Sequence, residues 1–290
     1  MSLISLLIAL AAERYLSSSA WQFNVHYKHY KKFFKGLAVF GNPKKSILAN
    51  AIFLFTPVFL CYFLLSLVDD GLLHFILSTL ILIACFGCIK TREIYKQYLL
   101  AAFRGELTSC DLHHQQLKQD KKLPEMGFGQ MLVWLNYRYF IAIMIFFVLF
   151  GATGALFYRL VTRLNEQRCA KDSDSDDEHE TSTANEAEKV AEFNQQLLFG
   201  LDWLPVRIVA FGYMLVGHFS RAMPVWLESC FDVGKLPHQI LITVAQKSED
   251  FMVDKDDCTA EPCLLVRLAK RSLLLCLAVI AILILTGVIS

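Results

Sequence analysis

The sequence predicts an all-α, polytopic helical membrane protein with four transmembrane helices and a fifth that is broken or re-entrant. Three observations carry this. Four runs, Ser46–Val68, Gly71–Ile89, Tyr139–Tyr158 and Ser272–Ser290, contain no Asp, Glu, Lys or Arg. Each is close to the roughly 20 residues that a hydrocarbon core about 30 Å thick requires of a helix. The 290-residue chain is 55% hydrophobic with 23 phenylalanines. The runs are apolar on every side, whereas a helix of a soluble core keeps a polar face.

The net charge of +1 supplies no global field that would favour nucleic acid. The charges are instead segregated by segment, and that segregation orders the elements. Met1–Ala12 is apolar and ends in Glu13 and Arg14, with no basic residue before it. A signal peptide begins with a basic region, so a retained helix is expected: buried, interfacial, or a span completed by 13–16. Trp21–Leu37 sets Trp21, Val25, Tyr30, Phe33, Phe34 and Leu37 against Lys28, Lys31, Lys32 and Lys35. This amphipathic helix either lies on an anionic leaflet or packs on the protein's own helices. Gly41, Asn42 and Pro43 then break the chain.

Only Asp69 and Asp70 separate the first two runs. Lys44 and Lys45 precede the pair, and Lys90, Arg92 and Lys96 follow it. The positive-inside rule therefore places Lys90–Arg138 in the cytoplasm and the two aspartates on the other side. A helix through Tyr95, Leu99, Ala102 and Phe103 is expected in that loop, ending before a break at Pro124, Gly127 and Gly129. The third run is basic at both ends, with Arg138 before it and Arg159, Arg163 and Arg168 after it, which leaves the side of the next loop open. Lys171–Glu188 is acidic and nearly free of large apolar residues, the composition of a disordered tether. Leu197–Phe219 is long enough to cross but holds Asp202, Pro205, Arg207 and His218. Such groups at membrane depth must face protein or water, hence the broken or sheltered fifth helix. If it spans, Arg221–Arg271 is cytoplasmic, in keeping with Arg267, Lys270 and Arg271. The organisation expected is one helical membrane domain, 1–290. It contains an N-terminal helix and basic amphipathic segment (1–45), a cytoplasmic loop (90–138) and a disordered acidic tether (171–190).

No phosphate-binding GxxxxGK[ST], HExxH, GxSxG or SxxK occurs. His113 and His114 are adjacent, so one helix cannot aim both at one metal. Of the nine cysteines, Cys61, Cys85, Cys88 and Cys276 lie inside the apolar runs, where cysteine acts as a small hydrophobe. Neither a disulfide framework nor a zinc site is expected, and no catalytic residue, metal or cofactor. Two constellations stand out: WLNYRY, Trp134–Tyr139, and DWLPVR, Asp202–Arg207. Each places aromatic and arginine groups where an apolar segment meets water. Arg207 in particular demands an anionic partner, with Asp202, Glu13 or a bound phosphate in view. Asp202 would have to be brought round by a break at Pro205.

WLNYRYFIAIMIFF, GLDWLPVRIVAFGYMLVGHFSRAMPVW and the opening LLIALAAERYL resemble the AmpE family, bacterial inner-membrane signalling modulators of β-lactamase induction. The resemblance runs through most of the chain. GALFYR, Gly154–Arg159, and LPVR, Leu204–Arg207, are also similar to elements of the CobD/CbiB family, which makes adenosylcobinamide phosphate. There, however, an Asn-Thr-Leu-Asp stretch follows YR, where this chain reads LVTRLNE. The residues so marked as candidate binding groups are Glu13, Arg14, Asn136, Arg138, Tyr158, Arg159, Asp202, Trp203, Arg207 and His218. The first resemblance implies a non-enzymatic signalling protein of the multi-pass inner membrane. Its partners would be membrane lipids and the cell-wall recycling pathway in which the amidase AmpD acts, with no nucleic acid. The second implies, as the alternative, a membrane enzyme acting on a phosphorylated or amine ligand. A transporter is disfavoured by the scarcity of intramembrane charge and the lack of an inverted repeat.

Overall fold

The computed structural model describes residues 2–15, 23–36, 47–68, 71–87, 89–168, 181–232, 234–249 and 259–287. Among them there is no strand. The helices are α1 (Ser2–Tyr15), α2 (Phe23–Gly36), α3 (Ile47–Ser66), α4 (Leu72–Cys85), α5 (Ile89–Phe103) and α6 (Leu107–Lys121). They continue with α7 (Phe128–Asn136), a π-helical turn at Tyr137–Ile141, α8 (Ala142–Arg168), α9 (Thr181–Val216), α10 (Phe219–Phe231), α11 (Pro237–Ser248) and α12 (Ala260–Leu285). The fold is all-α, as expected. Among the described residues, four helices are long and apolar enough to cross a membrane: Ile47–Ser66, Phe128–Glu166, Glu188–Val216 and Ala260–Leu285. A fifth crossing arises only if Leu72–Cys85 and Ile89–Phe103 are taken together.

The broken element is therefore not where the sequence placed it. The run Gly71–Ile89 yields only the 14-residue α4, about 21 Å long at 1.5 Å per residue. Helix ends there because Phe86 is extended and Gly87 takes φ 138°. By contrast α9 runs unbroken through Pro205. A proline costs one backbone hydrogen bond, and a packed helix tolerates that loss. The other spans begin earlier than their charge-free cores. One helix starts at Phe128, so the last eleven positions of the expected loop 90–138 already belong to it or to the π-turn, and α12 carries Arg267, Lys270 and Arg271 in its first half. Asp69 and Asp70 and half of the expected tether, 171–180, lie outside the described residues; the other half, 181–190, opens α9 as helix.

The chain divides into two compact units. The first comprises Met1–Gly87, Ile143–Leu201 and Ile289–Ser290. In it α1 packs on α4, with the Thr79 hydroxyl donating to Ser5 Oγ at 3.0 Å. The apolar face of α2 turns to α3: Tyr30 and Phe34 stand 4.8 and 5.0 Å from the Phe53 ring. The Tyr30 hydroxyl donates to the Phe53 carbonyl. Of the two readings of α2, packing on the protein's own helix accounts for this face, while Lys28 and Lys32 remain exposed. Asn50 and Asn194, both buried, exchange side-chain amide hydrogen bonds of 2.8 and 3.4 Å, and Asn165 donates to the Asn194 carbonyl. Within α8, Gly151 adopts φ 68°, ψ −163°, a region essentially reserved for glycine, and kinks the helix.

The second unit comprises Cys88–Ala142 and Asp202–Val288. Here α5 and α6 form a hairpin over the turn Arg104–Glu106. It is fixed to the start of α7 by the Tyr98–Phe128 stack (3.8 Å) and the bond between His114 and the Met126 carbonyl. Helix α7 packs on α11 and α12, and α10 on α11.

Candidate functional site

The π-turn Tyr137–Ile141 sits inside the WLNYRY block. A π-turn inserts an extra residue into a helix and re-aims the side chains around it, and such turns recur at functional sites. Here it sets Tyr137 and Arg138 together toward Asp202 on α9. The Tyr137 hydroxyl donates to Asp202 Oδ1 at 2.9 Å, and Arg138 Nη2 lies 3.8 Å from Asp202 Oδ2. The Asp202 side chain is only 2% exposed and that of Arg138 15%. A carboxylate so buried must be paired or hydrogen-bonded, and it is both. Trp134 completes the cluster. Its ring lies 4.8 Å from the Arg138 guanidinium, stacks on Tyr137 at 5.2 Å and meets His238 of α11 edge-on at 5.9 Å. On the next residue of the turn, the Tyr139 hydroxyl accepts from Lys121 at 3.1 Å. The side-chain amide oxygen of Asn136, Oδ1, is buried without a hydrogen-bond partner among the described residues.

Arg207 departs from its sequence-based expectation. No carboxylate pairs with it among the described residues. Its guanidinium donates to three backbone carbonyls: Trp203 at 2.8 Å, Cys230 at 3.2 Å and Asp232 at 2.8 Å. It also lies 4.2 Å over the Trp203 ring. Cys230 and Asp232 are at the end of α10, where the last carbonyls of a helix lack partners and carry its negative pole. Arg207 thus acts as a helix cap. Asp202, named as its partner, is turned instead to Tyr137 and Arg138, because α9 does not break at Pro205. Glu13, the other named partner, belongs to the first unit.

Of the remaining candidate residues, Trp203 serves Arg207. His218 uses its backbone, the N–H donating to the Ser248 carbonyl at 2.7 Å. Tyr158 and Arg159 are buried in the first unit, Tyr158 stacked on Phe146 at 4.8 Å and Arg159 over Phe23 at 5.3 Å. Glu13 is buried and Arg14 exposed in α1. The structure therefore gathers Asn136, Arg138 and Asp202 into the second unit's core and assigns Trp203 and Arg207 to a separate cap. Sequence reasoning missed Tyr137, Trp134 and His238 as members of the cluster. The first two were inside a quoted motif, while His238 has no local signal, since only the packing of α11 on α7 brings it there. It also missed Asn50, Asn165 and Asn194, whose signal was an amide within or beside apolar sequence. No group of three or more metal-ligating side chains is found among the described residues.

An all-α chain with four membrane-length apolar helices is, by class, a helical membrane protein, here with an internal charged cluster. The chain belongs to the AmpE family: the family described as Regulatory signalling modulator protein AmpE matches over residues 1–290. It is 28% identical to Protein AmpE of Shigella flexneri, with 72% of each chain covered. No solved structure matches it. Family membership gives the chain a regulatory signalling role.

Proposed function

We propose that the protein is a multi-pass inner-membrane modulator of β-lactamase induction, acting where cell-wall recycling is sensed, with the Arg138–Asp202–Tyr137 cluster as its responsive site. The observation that carries the reading is the cluster itself: an ion pair buried in the core of a membrane-class fold and seated on a π-turn. Ionisable groups at membrane depth are costly and mark functional sites. The pair is also loose at 3.8 Å, so a ligand or a change in helix register would alter it without dismantling the fold. The lysine and arginine distribution supports an orientation with α5 and α6 in the cytoplasm. Inner-membrane lipids surround the spans, and the recycling pathway served by the amidase AmpD supplies the signal. The test is genetic. Asp202→Asn and Arg138→Gln are placed in the native gene, membrane levels are verified, and β-lactamase activity is followed after challenge with a β-lactam. Both variants should alter induction at unchanged protein level. Wild-type induction in both would remove the cluster from the mechanism.

A further inference from the structure

The second unit explains why an arginine stands in the middle of an apolar helix. Helix α10 folds back along α9. Trp226 Nε1 donates to the Arg207 carbonyl at 3.0 Å, the Phe211 and Trp226 rings are 5.1 Å apart, and Arg207 reaches the carbonyls of Cys230 and Asp232. These pairings fix an antiparallel register in which Leu227 lies level with Ile208 and Phe231 with Leu204. Helix α11 then returns along α10. Its last residue, Ser248, meets the turn after α9: the His218 N–H donates to its carbonyl, and a Cβ on Gly217 would lie 2.3 Å from that oxygen. Both ends of the α10–α11 hairpin are thus held together at the end of α9.

We infer that α10 and α11 form a re-entrant hairpin that enters the bilayer beside Gly217, turns within it after Asp232 and leaves on the same side at Ser248, with α10 facing the acyl chains. The surface, length and capping of α10 support it. Helix α9 carries an exposed apolar stripe of Leu204, Ile208, Phe211 and Leu215, which lipid covers if α9 spans. Helix α10 extends that surface with Phe219, Met223, Leu227 and Phe231, the last 82% exposed. With 13 residues, α10 is about 20 Å long, too short to cross and long enough to reach mid-membrane. Its C-terminal carbonyls then end where no water can satisfy them, and backbone at that depth must be satisfied by protein. Arg207 does so. Near the tip, Lys235 partly offsets two carboxylates, lying 3.0 Å from Glu228 and 3.9 Å from Asp232. The hairpin also puts Lys247 and the basic start of α12 on one side, as the positive-inside rule requires.

The inference rests on α9 as a span, and its test measures depth. A fluorescent amino acid is incorporated by amber suppression, one position at a time, in place of Phe219, Met223, Leu227 or Phe231, and in place of Leu215 or Ile208 on α9. The proteins are reconstituted into vesicles whose lipids carry bromine at a shallow or a deep acyl carbon. Quenching at Leu227 should match that at Ile208 and favour deep bromine, while Phe219 should match Leu215 and favour shallow bromine. In Arg207→Leu, the probe at Phe231 should lose its deep preference and that at Phe219 keep its shallow one. Equal shallow quenching at all four α10 positions would make α10 an interfacial helix and overturn the hairpin. Quenching at Ile208 with none on α10 would place α10 against water or protein, with the same result. No quenching at Ile208 would overturn the span and the hairpin together.

Discussion

Among the described contacts between distant elements, the two units use different polar groups, although both bury charged side chains, Glu13 and Arg159 in the first and Asp202 and Arg207 in the second. The first joins distant elements through neutral amides: Asn50 on α3 pairs with Asn194 on α9, and Asn165 on α8 adds a bond to the Asn194 carbonyl. Within the first unit the ion pair Arg163–Glu166 is local to one helix, three residues apart at 2.6 Å. The second unit joins elements 64 positions apart through a charged pair, Arg138–Asp202, and closes a helix end with a second arginine. Amide pairs act as modest glue and lose little when broken. A buried charge deprived of its partner is expensive. Breaking the Arg138–Asp202 pair should therefore cost more than breaking the Asn50–Asn194 pair.

The largest effect expected follows from removing one charge of the second unit. Asp202→Leu leaves Arg138 uncompensated and should lower stability by about 3–5 kcal/mol, read from unfolding in mixed micelles. Asp202→Asn, which keeps an acceptor for Tyr137, should cost less. Arg138→Met combined with Asp202→Leu should recover most of the loss, since both buried charges are then gone. If the double variant is no better than Asp202→Leu alone, the pair is not the unit that the contrast describes.

Arg207→Lys comes next. An ammonium keeps the charge but not the planar fork that serves several carbonyls at once, and the loss should be about 2 kcal/mol. Amide hydrogen exchange should rise at the α10–α11 turn while that of α3 stays unchanged. Faster exchange spread over both units would show that Arg207 supports more than the cap.

The neutral network should yield less. A double-mutant cycle with Asn50→Ala and Asn194→Ala should give a coupling of about 0.6 kcal/mol, several-fold below that of Arg138 with Asp202. Equal couplings would abolish the distinction between the units.

The smallest effect is expected at an exposed pair of the second unit. Lys118, by hydrogen bond and charge, holds the Glu125 carboxyl below its ordinary value of 4.5. Because the folded value is the lower one, its contribution is present above pH 4.5 and disappears as pH falls through the folded value. Wild type should therefore exceed Glu125→Gln in stability by a small margin at neutral pH, and the margin should close in acid. A margin that widened in acid would reverse the sign of this interaction.

What the sequence determined was whatever depends on composition and on neighbours along the chain. Runs without charge exclude water on every side, and three of the four became membrane-length helices, while Gly71–Ile89 yields only the 14-residue α4. A break such as the Pro124–Gly127 stretch ahead of α7 needs no partner to act, while the expected break at Gly41, Asn42 and Pro43 lies outside the described residues. The motifs around Arg138 and Asp202 were visible for the same reason, as polar residues within or beside apolar sequence. Tertiary structure alone decided which groups those charges meet. Whether Pro205 breaks α9 depends on the packing that holds the helix across its missing hydrogen bond. Whether Asp202 faces Arg207 or Arg138 depends on a π-turn in another helix. The hydrogen-bond acceptors of Arg207 proved to be backbone carbonyls, two of them at the end of α10, groups that every residue possesses and no sequence pattern marks. Those are choices of register and direction between distant segments, and their energies exist only once the segments touch.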